Sequence, residues 1–481
     1  MKKKILIGLS VLAMTATGLT SCGGSNKTGT ALAVEKASAM TLAQLEAASK
    51  KEWEDNPDGT LSVVGLTSVL RSVATSVAEK YEWLTYVYDS ESGTSTGNIS
   101  VNNGYKDYQL ITALNTAADS YFADYALVQD VRSFATMIED GITHNFVPSD
   151  FAELGVPQDG RLPLYGVHFN KLFWTNTNFE HVTGKKLYNI WQVAGHDAEL
   201  NSDGSVKTPA DHQDHLSKVS FQSPTTEQIN MSFLVTAYAE ENQARILQAY
   251  KDYYGKDWQK SGTYQNAGQQ WVAEFIANIS KFHTSDGDAM KKTQLESDWN
   301  AGYVYYGAFA KMKDAAGKKY NVDLNGNGVI EDSIDLDLQC GKATDVYHYS
   351  SEKDVNAMTT VKWDWEINGF NGFMYCMDSQ IVNNAKYPYT ACLFARTMLE
   401  EEVYTNAIYN SKNPDAQGNK ANQYGYYYPG QASADFRYAK GDWTKEVHTA
   451  NELNEKYDYL KDVKISTVNN ILAMVNNNKK V

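Results

Sequence analysis

The chain has 481 residues, 42% hydrophobic and 21% charged, which excludes a disordered protein and is too long for one hydrophobic core. Its 58 acidic residues against 43 basic ones give a formal charge of −15, which argues against a phosphate-rich partner such as nucleic acid. The 32 Tyr, 10 Trp and 16 Phe read either as a polar-tipped core or as stacking surfaces for a ligand.

At the N-terminus, Lys2-Lys3-Lys4 precedes a short apolar run, Ile5 to Met14. The run is too short to span a bilayer and reads as the start of a secretory signal over residues 1–21. Leu19-Thr20-Ser21-Cys22 resembles the lipobox of bacterial lipoproteins. That resemblance implies that Cys22 becomes a lipidated first residue, holding the protein outside the cytoplasm at a membrane. Cys340, Cys376 and Cys392 remain. Three cysteines allow one disulfide but not a disulfide framework. Residues 22–58 read as a tether and an entry helix (Thr41–Trp53).

Gly59–Gly65 reads as a first strand, with Thr67 or Ser68 as N-cap of a helix over Val69–Tyr81. Tyr86–Tyr88 is a second strand, Ser90–Gly104 a loop and Tyr108–Ala118 a helix. Ala123–Asp130 is a third strand, followed by a helix over Val131–Glu139. This alternation predicts a mostly parallel sheet covered by helices. The aromatic, β-branched run Leu162–Thr177 reads as a strand crossing between two lobes. Beyond it, Leu187–Val193 looks helical and Val219–Gln222 is a strand. It leads through Ser223-Pro224-Thr225-Thr226 into a helix over Glu227–Ala239. Glu240–Tyr254, Trp271–Phe282, Thr390–Ile408 and Val463–Asn476 read as further helices. Gly302–Lys313 is apolar and aromatic, and Val361–Cys376 returns as strands.

In this order the segments resemble the extracellular solute-binding proteins of bacterial ABC importers, of the two-lobed type. Gly59–Ser68 is similar to that family's first strand and ligand-facing turn. Ala123–Asp130 is similar to its aD-apolar-apolar-xD strand, and Leu162–Thr177 to its crossover. Ser223–Thr226 is similar to its strand-to-helix turn in the second lobe. Ile381-Val382-Asn383-Asn384-Ala385-Lys386-Tyr387-Pro388-Tyr389-Thr390-Ala391-Cys392-Leu393-Phe394 is similar to its hinge-return segment and is the most specific match. The chain is longer than the family pattern near Ser90–Gly104, Gly255–Ala267 and Val322–Ser351.

The resemblance implies an α/β, type II clamshell with mixed sheets flanked by helices. Lobe 1 would comprise residues 59–165 and 378–481, and lobe 2 residues 166–377. A small solute would bind between the lobes, and importer membrane subunits would recognise the closed form; the abundant aromatics and the few basic residues near the cleft turns favour a carbohydrate. A monomer with no enzymatic activity and no required cofactor is expected. Thr67, Ser68, Asp130, Asn176, Thr225 and Thr226 are candidate ligand contacts at strand ends, with capping and turn roles as the competing reading. Trp271, Trp299, Trp363 and Trp365 are candidate stacking platforms or core residues.

Tyr305-Tyr306 loosely matches the adjacent tyrosines of the family's ferric-ion binders, an alternative reading for the ligand. Asp323, Asn325, Asn327 and Val329 follow the front half of an EF-hand-type loop; a structural calcium site and a plain Asn-Gly loop both fit. His196, His212 and His215 with Asp211 and Asp214 fit a solvated loop better than a zinc site. Two rivals remain at this level. One is a helical glycan-binding outer-membrane lipoprotein, disfavoured by the alternation over Gly59–Glu139. The other is a secreted hydrolase, for which no motif speaks.

Overall fold

The computed structural model describes residues 29–67, 69–89, 91–176, 187–194, 217–260, 263–286, 288–289, 302–308, 319–322, 331–335, 340–342, 361–363, 367–403 and 445–478. Helices α1 (Gly29–Ser38) and α2 (Leu42–Asp55) lead in. Thr41 starts α2 with a capping box: Gln44 N–H reaches the Thr41 hydroxyl, and Thr41 N–H reaches the Gln44 side chain at 2.9 Å. Then come β1 (Leu61–Gly65), α3 (Val69–Lys80), β2 (Tyr86–Asp89), β3 (Thr94–Gly97), β4 (Ile99–Asn102) and α4 (Asp107–Leu114). They are followed by β5 (Tyr125–Val128), α5 (Val131–Glu139) and β6 (Thr143–His144).

One of the two parallel partners of β1 is β4, inside the stretch read from sequence as a loop. Tyr86–Tyr88, read as the second strand of the sheet, instead forms a hairpin of its own with β3. Ile99 is the buried residue of β4, and the rest of that short strand is polar or half-exposed, so its hydrophobic alternation is faint. Asp89 closes the hairpin by accepting from Glu91 N–H at 2.9 Å and the Ser92 hydroxyl at 2.7 Å.

The crossover strand β7 spans Leu164–Asn176. After it come α6 (Ile190–Val193), β8 (Ser217–Gln222), α7 (Gln228–Thr236), α8 (Glu240–Tyr254), α9 (Ala267–Asn278), β9 (Ile279–His283) and β10 (Gly302–Ala308). Gly255 ends α8 at φ +66°, a left-handed backbone that glycine adopts without a Cβ clash. The helix read over Trp271–Phe282 begins earlier, capped by Asn266, and gives way to β9 at Ile279. Ile279, Phe282 and His283 lie in the register of a parallel neighbour of β8, and tertiary pairing overrides the helical reading there. Short strands β11 (Lys319–Val322), β12 (Glu331–Asp335), β13 (Cys340–Lys342) and β14 (Val361–Trp363) precede β15 (Gly372–Val382). The chain continues through α10 (Pro388–Met398), α11 (Glu401–Val403), α12 (Lys445–Asn451), β16 (Glu452–Asn454), α13 (Tyr457–Leu460) and α14 (Ile465–Asn477).

The main sheet runs β4-β1-β5-β15-β7-β10-β8-β9. Strands β4, β1 and β5 are parallel to one another, as are β10, β8 and β9. Between these two groups lie β7 and β15, paired antiparallel from Gly372–Leu172 to Ser379–Leu164. At roughly 3.3 Å per residue these two strands are long enough to serve both groups. β15 joins the first group through Asp378–Ile381 beside β5. β7 joins the second through Lys171–Thr175 beside β10. The fold is therefore a mixed α/β sheet flanked by helices, as the sequence implied.

Alternation along the strands sorts two cores. Leu61, Val63, Tyr125 and Leu127 face α2, α3 and α10; Val64, Ala126 and Val128 face the other way. That second core continues without a break into Phe173, Phe221, Phe233, Trp271 and Phe275. Each fully buried large side chain contributes roughly 1.5–3 kcal/mol. Two segments named in the resemblance meet directly. Asp124 accepts from Ser62 N–H at 2.8 Å, and from Lys386 and Tyr387 N–H at 2.6 and 3.0 Å. One buried carboxylate thus ties the third strand of the chain's first half to the hinge-return segment.

The C-terminal segment lies across both halves. β16 pairs with β15 at Gly372–Met374. α13 packs against α5 and α7, while α14 packs against α7 and α9.

Candidate functional site

The carboxyl ends of β1 and β5 point toward the carboxyl end of β8, with the middle of β7 and β15 as the floor between them. Crevices at strand ends of this kind are common ligand sites, because helix N-termini supply free N–H groups there. At the end of β1, Gly65 lets Leu70 and Leu127 close in: a Cβ there would sit 2.6 Å from the Leu70 side chain. Next to it, the Thr67 hydroxyl accepts from Val69 N–H at 3.3 Å, a turn-and-cap role. Ser68 lies outside the described residues.

One residue past the end of β5 comes the centre of the crevice. Gln129 Nε2 donates to Asp107 Oδ2 at 2.9 Å and to Glu227 Oε1 at 3.0 Å. Asp107 opens α4, and Glu227 stands just before α7, so one amide group joins the two halves. The same Asp107 Oδ2 accepts from Gln228 N–H at 3.0 Å. The start of α7 has no cap from its own N-cap side chain; a carboxylate from the other half serves. Arg132 adds Nη2 to Gln228 Oε1 at 3.0 Å and Nε to the Ser232 hydroxyl at 3.1 Å. Asp130 is buried, held by the Ser133 hydroxyl and within 3.4 Å of Arg132.

On the floor, Lys171 is 1% exposed. Its ammonium donates to Asn230 Oδ1 at 2.9 Å, pairs with Asp286 at 3.2 Å and stands 3.8 Å from Glu227. Asn230 in turn donates to the Gln222 carbonyl at 2.9 Å. Burial pushes the Asp107 carboxyl up to about 7, and the charge of Glu227 adds to this, against the hydrogen bonds from Gln129 and Gln228. Buried Tyr375 lies in the field of Glu227, Asp286 and Asp107. Burial drives its phenol well up, and the three negative charges add to it. Nearby, Asp378 on β15 and Glu455 are raised well above the carboxylate range, first by burial and, for Glu455, then by Asp378, with Asp130 adding to it.

The residues singled out in the sequence fall into three groups. Thr67, Asp130, Thr225 and Thr226 come to the facing strand ends. Thr225 and Thr226 spend their hydroxyls inside the turn: Thr226 donates to the Ser223 carbonyl at 3.0 Å, and Thr225 pairs with the Ser223 hydroxyl at 2.7 Å. Trp271 goes to the core and offers no ring face to a ligand. Its indole is fully buried, donates to the Ile190 carbonyl at 2.8 Å and stacks on Phe275 with centroids 4.9 Å apart.

Asn176, Tyr305 and Trp363 are placed by backbone register alone: Val361 beside Asn176, Trp363 beside Trp174, and Tyr305 between Trp174 and Ser220. Cys22, Trp299, Trp365 and the loop of Asp323, Asn325, Asn327 and Val329 lie outside the described residues, as do His196, His212 and His215. Sequence reading missed Asp107, Gln129, Arg132, Lys171, Glu227 and Asp286. Only Lys171 left a visible signal, a charge inside an aromatic strand.

Among the described residues no group of three or more His, Cys, Asp or Glu side chains could hold a metal ion. Cys392 is a buried free thiol. No described helix is long and apolar enough to cross a membrane. A separate cavity of 590 Å³ lies at the other end of α5, lined by residues that include Val34, Ile138, Thr143, His144 and Asn383.

No protein-family model and no curated protein matches the sequence. Solved structures similar to the chain include a Trichodesmium protein in complex with iron and citrate, at 10% identity and TM-score 0.46, covering 88% of this chain and 99% of that one. The apo ferric ion-binding protein A of Pasteurella haemolytica has the same identity and TM-score, with 88% and 98% covered. The sulfate-binding protein of Mycobacterium tuberculosis has 10% identity and TM-score 0.39, with 77% and 92% covered.

Proposed function

We propose that the protein is an extracytoplasmic solute-binding protein that captures a small solute between its two halves and delivers it unchanged to an ABC importer. The observation that carries this is the crevice where strand ends of both halves meet over β7 and β15, bridged by the Asp107–Gln129–Glu227 contact. A solute touching both sides favours the closed form over the open one. Cys22 would carry the lipid anchor, with residues 1–21 removed as a signal. In this reading β1 to β6 with the end of β15 and α10 form one lobe. β8 to β10 with α6 to α9 form the other, and the C-terminal helices are grouped with it because α14 packs on α7 and α9.

Among the described residues the lining is charged rather than a set of exposed aromatic faces, so a charged solute suits it better than the neutral carbohydrate expected from composition. A ferric ligand involving Tyr305 is the second reading, since β10 runs beside β7 and β8. Calorimetric titration of the mature protein, paired with small-angle scattering, tests the proposal. Saturable binding of one small solute with a decrease in radius of gyration is the expected result. Conversion of the bound molecule, or binding without any change of shape, would overturn it.

A further inference from the structure

We infer that the solute carries a primary ammonium group, seated between Asp107 and Glu227, where the Gln129 side-chain amide now stands. This rests on the solute-binding reading of the same crevice.

The charge balance comes first. The described crevice groups are four carboxylates, Asp107, Asp130, Glu227 and Asp286, against two cations, Arg132 and Lys171. Lys171 is taken by Asp286 at 3.2 Å, with Asn230 beside it, and reaches Glu227 Oε1 only at 3.8 Å, farther than the Gln129 amide at 3.0 Å. Arg132 lies 3.4 Å from Asp130 and spends its hydrogen bonds on Ser232 and Gln228. No cationic side chain among the described residues pairs with Asp107. The second observation concerns single atoms. Asp107 is 3% exposed, and its Oδ1 oxygen is buried with no hydrogen-bond partner among the described residues, whereas the corresponding oxygen of Asp130 has the Arg132 guanidinium 3.4 Å away. A buried carboxylate oxygen left without a donor costs about 1–3 kcal/mol or more, and a donor from a bound solute would remove that cost.

The third observation shows what fits. Gln129 Nε2 is a nitrogen donating to one carboxylate of each half, at 2.9 and 3.0 Å. An –NH3+ group has the same nitrogen donor with a third hydrogen and a full charge, and so makes charge-assisted bonds where the amide makes neutral-donor ones. Swinging Gln129 aside frees that seat. Burial and the Glu227 charge also hold Asp107 near the point of protonation, so a cation arriving there would favour its ionised form. The groups facing it are Glu227 and, further along, Asp130, Arg132, Lys171, Asp286 and Tyr375, with Asp378 and Glu455 beyond them.

The test titrates the whole mature protein with 1,4-diaminobutane, 1,5-diaminopentane and lysine, alongside glucose, maltose, sulfate, citrate and ferric citrate. One of the amines is expected to bind, and Asp107→Asn, which keeps the shape and a capping oxygen, should weaken it roughly tenfold to a hundredfold. Gln129→Ala should strengthen amine binding, because the side-chain amide that competes for the seat is gone. Between pH 8 and pH 6 amine affinity should fall about tenfold as Asp107 takes up a proton. Circular dichroism of each variant separates loss of binding from loss of fold. Saturable binding of a sugar or anion with lobe closure, and none of the amines, would overturn this inference and leave the solute-binding reading standing. So would amine binding that Asp107→Asn does not weaken. Failure of every compound to bind would overturn both.

Discussion

Lys171 is an ammonium set into an otherwise aromatic strand and almost wholly removed from water. Such a charge persists only where partners replace its hydration, and here Asn230, Asp286 and Glu227 do so. Replacing Lys171 by Met would leave the Asp286 carboxylate without its cation. A loss of about 3–5 kcal/mol of stability is expected, read as a lower urea midpoint. Adding Asp286→Asn to Lys171→Met should recover part of it, because the stranded charge is then gone as well. A recovery of nothing would mean that packing of the lysine stem, and not the pair, is what matters. Glu52 makes a comparable point. Its carboxylate, on α2, accepts from Tyr389 N–H at 2.9 Å, Thr390 N–H at 2.9 Å and the Thr390 hydroxyl at 2.8 Å, capping α10 from far away in the chain. Pro388 at the start of that helix is a local signal; Glu52 is not.

Among the elements, α12 and β16 are gripped by one arginine fork. Arg245 on α8 donates Nε to the Gly369 carbonyl at 2.6 Å, Nη1 to the Glu452 carbonyl at 2.9 Å and Nη2 to the Ala450 carbonyl. Around it, Asn371 N–H reaches the Asn451 carbonyl at 2.7 Å, and buried His448 and Glu452 pair at 2.8 Å. Arg245→Ala should loosen α12 and β16 before the rest, seen as faster amide exchange over residues 445–454 with β1 and β5 unchanged. Arg245→Lys should not restore protection, since one ammonium cannot reproduce a planar fork with three carbonyls. Uniform acceleration across the molecule would sink this assignment. The elements also show what a sequence can carry. α8 is legible to the residue because acids open it, a glycine closes it and its apolar spacing is clean. β4 is not, because its pattern is short and mostly polar, and β9 hides at the end of a helix. The site divides in the same way. Strand ends with Thr67, Asp130 and Thr225 follow from local pattern, whereas Asp107, Gln129 and Glu227 become a unit only when two distant segments meet.

Across the described residues, five carboxyls withdrawn from water are shifted the same way. Glu52 is pushed up to about 7, chiefly by burial, and Asp107 to about 7, by burial and Glu227. Asp124 is raised by burial, and Asp378 and Glu455 are raised well above the carboxylate range. For each, the folded value exceeds the unfolded one. As pH climbs from about 4.5 to 7 the unfolded chain therefore releases these protons first, and each step favours unfolding. The stabilisation they give is complete below the unfolded values and is lost as pH passes through the folded ones. For Glu52, a change from 4.5 to about 7 corresponds to about 3 kcal/mol over that window. The formal charge of −15 acts in the same sense, because self-repulsion grows as carboxylates ionise. Chemical denaturation at fixed ionic strength should accordingly show stability falling from pH 5 to pH 7.5. Glu52→Gln cannot accept with both side-chain atoms and should be weaker at pH 5, yet its curve should be flatter across the window. A wild-type curve that rises over the same range would show that these carboxyls are ionised in the folded protein, each paired with a cation or donor that offsets its burial.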